Sequence, residues 1–299
     1  MPKVYVLPPG EGWIVDRMVK EWTEDNADMC VDNPHNADVI WLLADWCWRN
    51  VPPSILSTKK VITTVHHIVP EKFGEKEKDD FALRDSITTV YHVYNQSTLD
   101  FIRPLTSKPI HLIPYWANQK IWKKTEDRLS LRVKYNLPAG AYLVGSFQRD
   151  TEGHDLKSPK LEKGPDILAD YLEKLFLKRK DLFVVLAGWR RQYVISRLEK
   201  AGIPYAYFER PPHDTINDLY QCLDLYPVTA RTEGGPQSLI ECGLLDIPVI
   251  SRNVGIASQV LPLDSINDNI SEAIPNIPDV SSWKLPEGYV QYRRLISNL

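Results

Sequence analysis

The chain is predicted to be an α/β protein built from two Rossmann-like domains in tandem. Short apolar runs rich in branched residues alternate with amphipathic stretches, the mark of parallel sheets covered on both faces. That alternation pauses after Pro114 and resumes near Tyr142. The 299 residues exceed what one ordinary core uses and suit two domains.

The first series opens with Lys3–Leu7, a strand pattern, followed by the turn-forming Pro8-Pro-Gly-Glu-Gly12. Trp13–Glu24 has helical spacing. Ala37–Leu43, Lys60–His66, Thr88–Tyr94 and Ile110–Tyr115 are further strand candidates, with a helical stretch at Gln96–Arg103. Trp116–Leu131 is polar and reads as the linker. In the second series Tyr142–Phe147, Leu182–Ala187, Tyr205–Phe208, Leu223–Thr229 and Pro248–Ser251 read as strands. Gly164–Lys180, Arg190–Ala201, Thr215–Cys222 and Gln237–Leu245 read as helices, with Thr215 and Asp218 forming a capping-box-like start for the third. Asp264–Glu287, rich in Pro and Asn, is expected to loop over the surface, and Tyr289–Leu299 to close the chain as a helix. The domains are expected at 1–118 and 119–285, with 286–299 as a terminal segment.

A net charge of −3 does not favour nucleic acid as a partner. No signal-peptide layout precedes the first strand, and no apolar run is long enough to span a bilayer. Cys30, Cys47, Cys222 and Cys242 are scattered without a C-x-x-C, as in reduced thiols of a cytoplasmic protein. Nine tryptophans are mostly explained by core packing; Trp13, Trp46 and Trp48 are the ones placed to stack on a ligand.

The most specific motif is Arg231-Thr-Glu-Gly-Gly-Pro-Gln-Ser-Leu-Ile-Glu-Cys-Gly243, in which seven residues separate Glu233 from Glu241. It reads as strand, glycine loop, helix. Pro236 suits the first helical turn, and Gln237 and Ser238 would then point backbone N–H groups out of the helix start, a natural seat for phosphate. Glu233 lies in the loop and Glu241 more than one turn into the helix, so each can reach a different end of one ligand.

This E-x7-E pair, followed by Ile247-Pro-Val-Ile250, resembles the donor site of retaining family-4 glycosyltransferases of the GT-B fold, in which two Rossmann-like domains face each other. In such proteins a terminal helix often crosses back onto the first domain. The resemblance implies that Glu233 contacts the transferred sugar and Glu241 the ribose hydroxyls, with Gly234 and Gly235 in the donor loop. It implies that Arg149, after the strand Leu143–Phe147, and Lys163, at the next helix start, hold the donor diphosphate. Positioned cations there stabilise the charge that builds on the leaving group. His66, at a strand end, is implied to touch the sugar near its anomeric carbon, with His67 one residue out of register. Gly12, in the first glycine loop, is implied to approach the donor, although an ordinary strand-to-helix turn needs the same residues. The loops at Gly188–Arg191 and Tyr207–Arg210 would border the nucleotide base.

The chain departs from the family in the thirteen residues, Asp150–Glu162, between Arg149 and Lys163. This insert carries His154, Lys157 and Lys160 and is either a flap or, the favoured reading, a solvated loop. No D-x-D motif is present, so no metal or other cofactor is expected. The function expected is transfer of a sugar from a nucleotide-sugar donor to a hydroxyl acceptor, with retention of configuration. The alternatives are a GT-B sugar-nucleotide epimerase and a non-catalytic nucleotide-sugar-binding subunit.

Overall fold

A computed structural model describes residues 1–12 and 14–299. Trp13, singled out above as a stacking candidate, lies outside the described residues. The chain divides into two compact units, Met1–Tyr115 with Pro286–Leu299, and Trp116–Leu285. The boundary falls three residues earlier than the sequence reading placed it, because Trp116 and Ala117 are buried within the second unit.

In the first unit, β1 (Val4–Val6), β2 (Val39–Leu42), β3 (Lys60–Val65), β4 (Val90–Val93) and β5 (Ile110–Leu112) form a parallel sheet in that order. A further parallel bridge places Cys30 beside Val4, on the side of β1 away from β2. The connections therefore reverse direction at β1, and the strand ends there form a switch point, where α/β sheets open a crevice. Residues of β2 are buried along its whole length, as a strand covered on both faces requires. The helices are α1 (Ile14–Asp25), α2 (Pro53–Leu56), α3 (Glu75–Ile87) and α4 (Gln96–Ile102). The sequence reading did not assign α3. Its Glu-Lys-Glu-Lys-Asp-Asp start masks the short apolar face that buries Phe81.

The second unit carries α5 (Arg128–Lys134), β6 (Tyr142–Ser146), a hairpin of β7 (Thr151–Glu152) and β8 (Ser158–Pro159), and α6 (Pro165–Lys178). Then come β9 (Leu182–Gly188), α7 (Gln192–Ala201), β10 (Tyr205–Glu209), α8 (His213–Gln221), β11 (Tyr226–Val228), α9 (Gln237–Leu245), β12 (Val249–Ser251) and α10 (Ala257–Val260). Strands pair as β10-β9-β6 and β11-β12, and a parallel bridge from Val144 to Leu225 joins the two sets. Here the order reverses between β6 and β11. The core lies between this sheet and its helices, with Val144, Leu168, Leu172, Val184, Leu186 and Leu198 at its centre.

Several expectations need correction. The expected linker is structured: α5 starts on an Asp127 cap, and Trp122 is buried against Tyr220. The helix α8 begins at His213, so Thr215 is inside it and caps nothing; Asp218 instead accepts from Thr125, Lys134 and Tyr135. Asp264–Glu287 does not run over the surface alone, for Ile270, Val280, Trp283 and Leu285 are buried. The insert is an antiparallel hairpin rather than an open loop, with Asp150 and Thr151 buried at its base.

The last helix, α11 (Val290–Ser297), belongs to the first unit. Tyr292 packs among Trp22, Trp41 and His92, and its hydroxyl donates to the Pro114 carbonyl at 2.9 Å. Arg293 pairs with Asp28. Among the described residues no helix is long and apolar enough to cross a membrane.

Candidate functional site

The loops that follow β6 and β11 are stitched together at the switch point of the second unit. Arg231 and Thr232 donate backbone N–H groups to the Glu162 carbonyl, at 2.8 and 3.2 Å. The Arg231 guanidinium grips both oxygens of Asp166 in the first turn of α6. That guanidinium, against the upward push of burial, holds the Asp166 carboxyl below the usual carboxylate range. Gly164 makes the approach feasible. Its φ of +63° is left-handed, and a Cβ there would overlap the Thr229 carbonyl. Pro165 then starts α6, with Asp166 at the positive end of its dipole.

This stitching sets Lys163 against Glu233 as a half-buried ion pair. Gln148 supports it by donating to the Lys163 carbonyl at 2.9 Å. On the other side Gly255 backs the Glu233 loop. A Cβ on Gly255 would meet Pro236 Cδ at 2.9 Å and the Glu233 and Gly234 carbonyls at 3.1 Å. Pro236 is the residue before α9 rather than within its first turn, so Gln237 and Ser238 are the first two helical residues. Their amides lie in the turn that has no intrahelical acceptors.

Glu241 is buried on α9, and its Oε2 accepts from the Tyr220 hydroxyl at 2.7 Å. Burial, and then the neighbouring Glu241 charge, push the Tyr220 hydroxyl well above its ordinary value, so it remains a donor. Phe147 and Tyr226 pack against Tyr220 and complete an aromatic floor under the carboxylate.

Arg149 is oriented otherwise. Its Nε donates to the Thr151 carbonyl at 2.9 Å and its guanidinium lies 5.2 Å from the Trp189 ring centre. Among the described residues it makes no ion pair with Glu233. Among the sequence candidates of this unit, contact joins Lys163 to Glu233, while Gly234, Gly235, Gln237, Ser238 and Glu241 follow on the same loop and helix. Gln148, Tyr220, Asp166 and Gly255 were not anticipated. Only the Asp166–Arg231 pair left a trace in the sequence, as charges at a helix start and beside the motif.

In the first unit, His66 follows β3 directly, and its Nε2 donates to the Leu43 carbonyl at 2.8 Å. The ring lies between Trp46 and Tyr94, with centroids 5.6 and 5.1 Å away. Trp46 donates Nε1–H to Glu11 of the glycine loop at 2.8 Å and keeps 47% of its surface exposed. Trp48 packs against the core instead. The loop itself wraps Asp16, whose carboxylate accepts the amides of Gly10, Glu11 and Gly12 at 2.7–2.9 Å. The amide of Gly12 is thus committed to the turn. Among the described residues no group of three or more His, Cys, Asp or Glu is gathered as a metal site.

No family model matches the chain. It is 24% identical over 160 residues to the lipopolysaccharide core biosynthesis mannosyltransferase LpsB of Rhizobium meliloti (strain 1021), covering 51% of this chain and 43% of that one. The chain thus spans less than half the length of this relative. Among solved structures, HepE of Anabaena in complex with UDP and glucose superposes with a TM-score of 0.78 over 100% of both chains, at 13% identity. A glycosyltransferase from Rickettsia africae ESF-5 gives 0.61 at 16% identity, over 98% of this chain and 88% of that one. The sucrose-phosphate synthase of Thermosynechococcus elongatus gives 0.61 at 15% identity, over 84% and 64%. Identities this low speak for the fold alone, and with the two Rossmann-like units described above they give its class: the chain has the GT-B fold.

Proposed function

We propose that the chain is a glycosyltransferase that moves a sugar from a nucleotide-sugar donor to a hydroxyl acceptor, with retention of configuration and without a metal. The observation that carries this reading is the Lys163–Glu233 pair at the switch point of the second unit, beside the start of α9 and one helix face from Glu241. The likeness to the mannosyltransferase LpsB, and to HepE solved with UDP and glucose, supports the same reading.

Each residue has a chemical task in it. Lys163 is a compact cation that neutralises diphosphate charge as the sugar leaves. The first-turn amides of α9 add hydrogen bonds to the same phosphate oxygens. Arg149 contributes further positive charge from the end of β6. Glu233, held in place by its ion pair with Lys163, accepts hydrogen bonds from sugar hydroxyls. Glu241, oriented by Tyr220, accepts from the ribose hydroxyls. In the first unit, His66 at the end of β3 is the residue that meets a sugar hydroxyl. The acceptor hydroxyl attacks on the face from which the diphosphate departs, and the departing phosphate oxygen takes its proton.

The test is product formation from a panel of nucleoside-diphosphate sugars and hydroxyl acceptors, in EDTA, with NMR of the anomeric proton. Transfer in chelator with the donor configuration kept is the expected outcome. An inverted linkage would make His66 the general base. A donor sugar altered without acceptor would indicate an epimerase, and binding without turnover a silent subunit.

A further inference from the structure

The second unit gathers three guanidinium groups around one indole. Arg149, Arg190 and Arg210 place their Cζ atoms 5.2, 4.6 and 4.5 Å from the Trp189 ring centre. They come from three strand ends, after β6, β9 and β10. An indole has two faces, so at least two of these cations share one. Like charges held this close repel, and an attractive indole face offsets only part of that.

Among the described residues none of the three arginines forms an ion pair, although Glu152 and Glu209 lie close in sequence. Arg149 and Arg190 spend hydrogen bonds on backbone carbonyls, of Thr151 and Gly153, and Arg190 Nε is buried without an acceptor. The backbone carries a second sign of constraint. Arg190 and Arg210 have φ of +56° and +46°, a left-handed conformation that costs free energy for a residue with a Cβ. Such strain persists only where surrounding structure imposes it, and it concentrates at ligand sites. The imposing structure is on hand. Arg191, fully buried, binds Asp150 and the Ser146 hydroxyl, and Thr151 caps the amide of Tyr193. These bonds lock the base of the β7–β8 hairpin, and with it Arg149 and Trp189, onto the strand ends.

We infer that Arg149, Arg190 and Arg210 around Trp189 form an anion site for the phosphate or diphosphate group of a second ligand, distinct from the nucleotide-sugar donor. Three guanidiniums exceed the charge of one carboxylate and suit an anion of two or more charges, bound by paired N–H donors. The hairpin that Arg190 holds through the Gly153 carbonyl also carries Lys157, a further cation. That it is a second site, and not the donor's, rests on the function proposed above. Since Arg149 figures in both sites, only Arg190 and Arg210 discriminate them.

The experiment is calorimetric titration of the full chain with inorganic pyrophosphate, repeated in the Arg190→Asn/Arg210→Asn and Lys163→Gln variants. Asparagine tolerates the left-handed conformation, so the double variant is expected to keep the native melting temperature. Pyrophosphate affinity is expected to fall about tenfold or more for each lost arginine, and to persist in Lys163→Gln. A Trp189→Leu variant, which keeps all three cations but not the face that gathers them, is expected to weaken pyrophosphate as well. Unchanged pyrophosphate binding in the double variant would overturn the site. So would a one-to-one competition between pyrophosphate and nucleoside diphosphate, with equal losses for both in the double variant. The arginines would then serve the donor's own phosphates.

Discussion

Glu233 and Glu241 share a loop and a helix yet occupy different surroundings. Glu233 is paired with Lys163, whereas Glu241 is buried and takes the Tyr220 hydroxyl. Removing them is therefore expected to have different consequences. Glu241→Ala should weaken nucleoside diphosphate and nucleotide-sugar alike, by about 1.5–3 kcal/mol for each charged hydrogen bond lost. Glu233→Ala should cost mainly the sugar-dependent part of affinity. Calorimetry with both ligands checks this, and equal losses of plain nucleotide would contradict the division of roles. Glu241→Gln keeps an acceptor for Tyr220 and separates ribose binding from damage to the aromatic floor.

His92 offers a residue-scale test of the first unit. It is fully buried, its Nε2–H donating to the Ile113 carbonyl at 3.0 Å and its Nδ1 bonded to Thr64, which also accepts from Trp41. Burial pushes its pKa down to about 3. The unfolded chain therefore binds a proton near pH 6.5 that the folded chain refuses until about pH 3. The stability linked to His92 is complete above pH 6.5 and is lost as pH falls below it. Urea unfolding of the first unit is expected to show about 2 kcal/mol less stability at pH 5 than at pH 7.5 from this group. A flat profile across that interval would show that the ring is not held neutral.

At the scale of elements, the connection before α6 decides where Lys163 stands. Gly164 is left-handed and lies against the Thr229 carbonyl, so Gly164→Ala brings both backbone strain and overlap. A loss of about 1–3 kcal/mol is expected, with weaker nucleotide binding because Lys163 moves with the turn. Gly140→Ala is the comparison, since nothing lies within 4 Å of a Cβ there; thermal unfolding should leave it near wild type. The hairpin between β6 and α6 illustrates a different lesson. Its charges suggested a solvated loop, but the buried Asp150–Arg191 pair is formed by residues 41 positions apart. Local composition could not reveal that partner.

For the whole molecule, the units impose different requirements on the chain. The first unit is discontinuous and takes Tyr292 into its aromatic core. The second is continuous but begins at Trp116, and its opening segment is bound to α8: Asn217 and Gln221 hold the backbone of Lys123 and Thr125. Ala117 also bonds to Trp283 at the far end of the unit. A fragment of residues 116–285 is expected to fold and to bind nucleoside diphosphate. One starting at Lys123 loses buried Trp116 and Trp122 and should melt at a markedly lower temperature. Equal melting temperatures would mean that the opening segment contributes nothing to this unit.

The sequence by itself determined the alternation of strand and helix and the presence of two series, and it offered Glu233 and Glu241, with Lys163 by family resemblance, as site candidates. Those features depend on local pattern, on apolar periodicity, on turn chemistry and on a motif read along one loop and helix. It missed α3, because a charge-dense start hides a helix whose apolar face is narrow, and it took 116–131 for a linker, because polar residues there bond to α8 rather than to water. Only the tertiary structure decided which charges meet. It set Lys163 on Glu233, turned Arg149 toward Trp189, and chose Trp46 over Trp48 as the exposed indole. Such choices depend on contacts between residues tens of positions apart, which periodicity and composition do not encode.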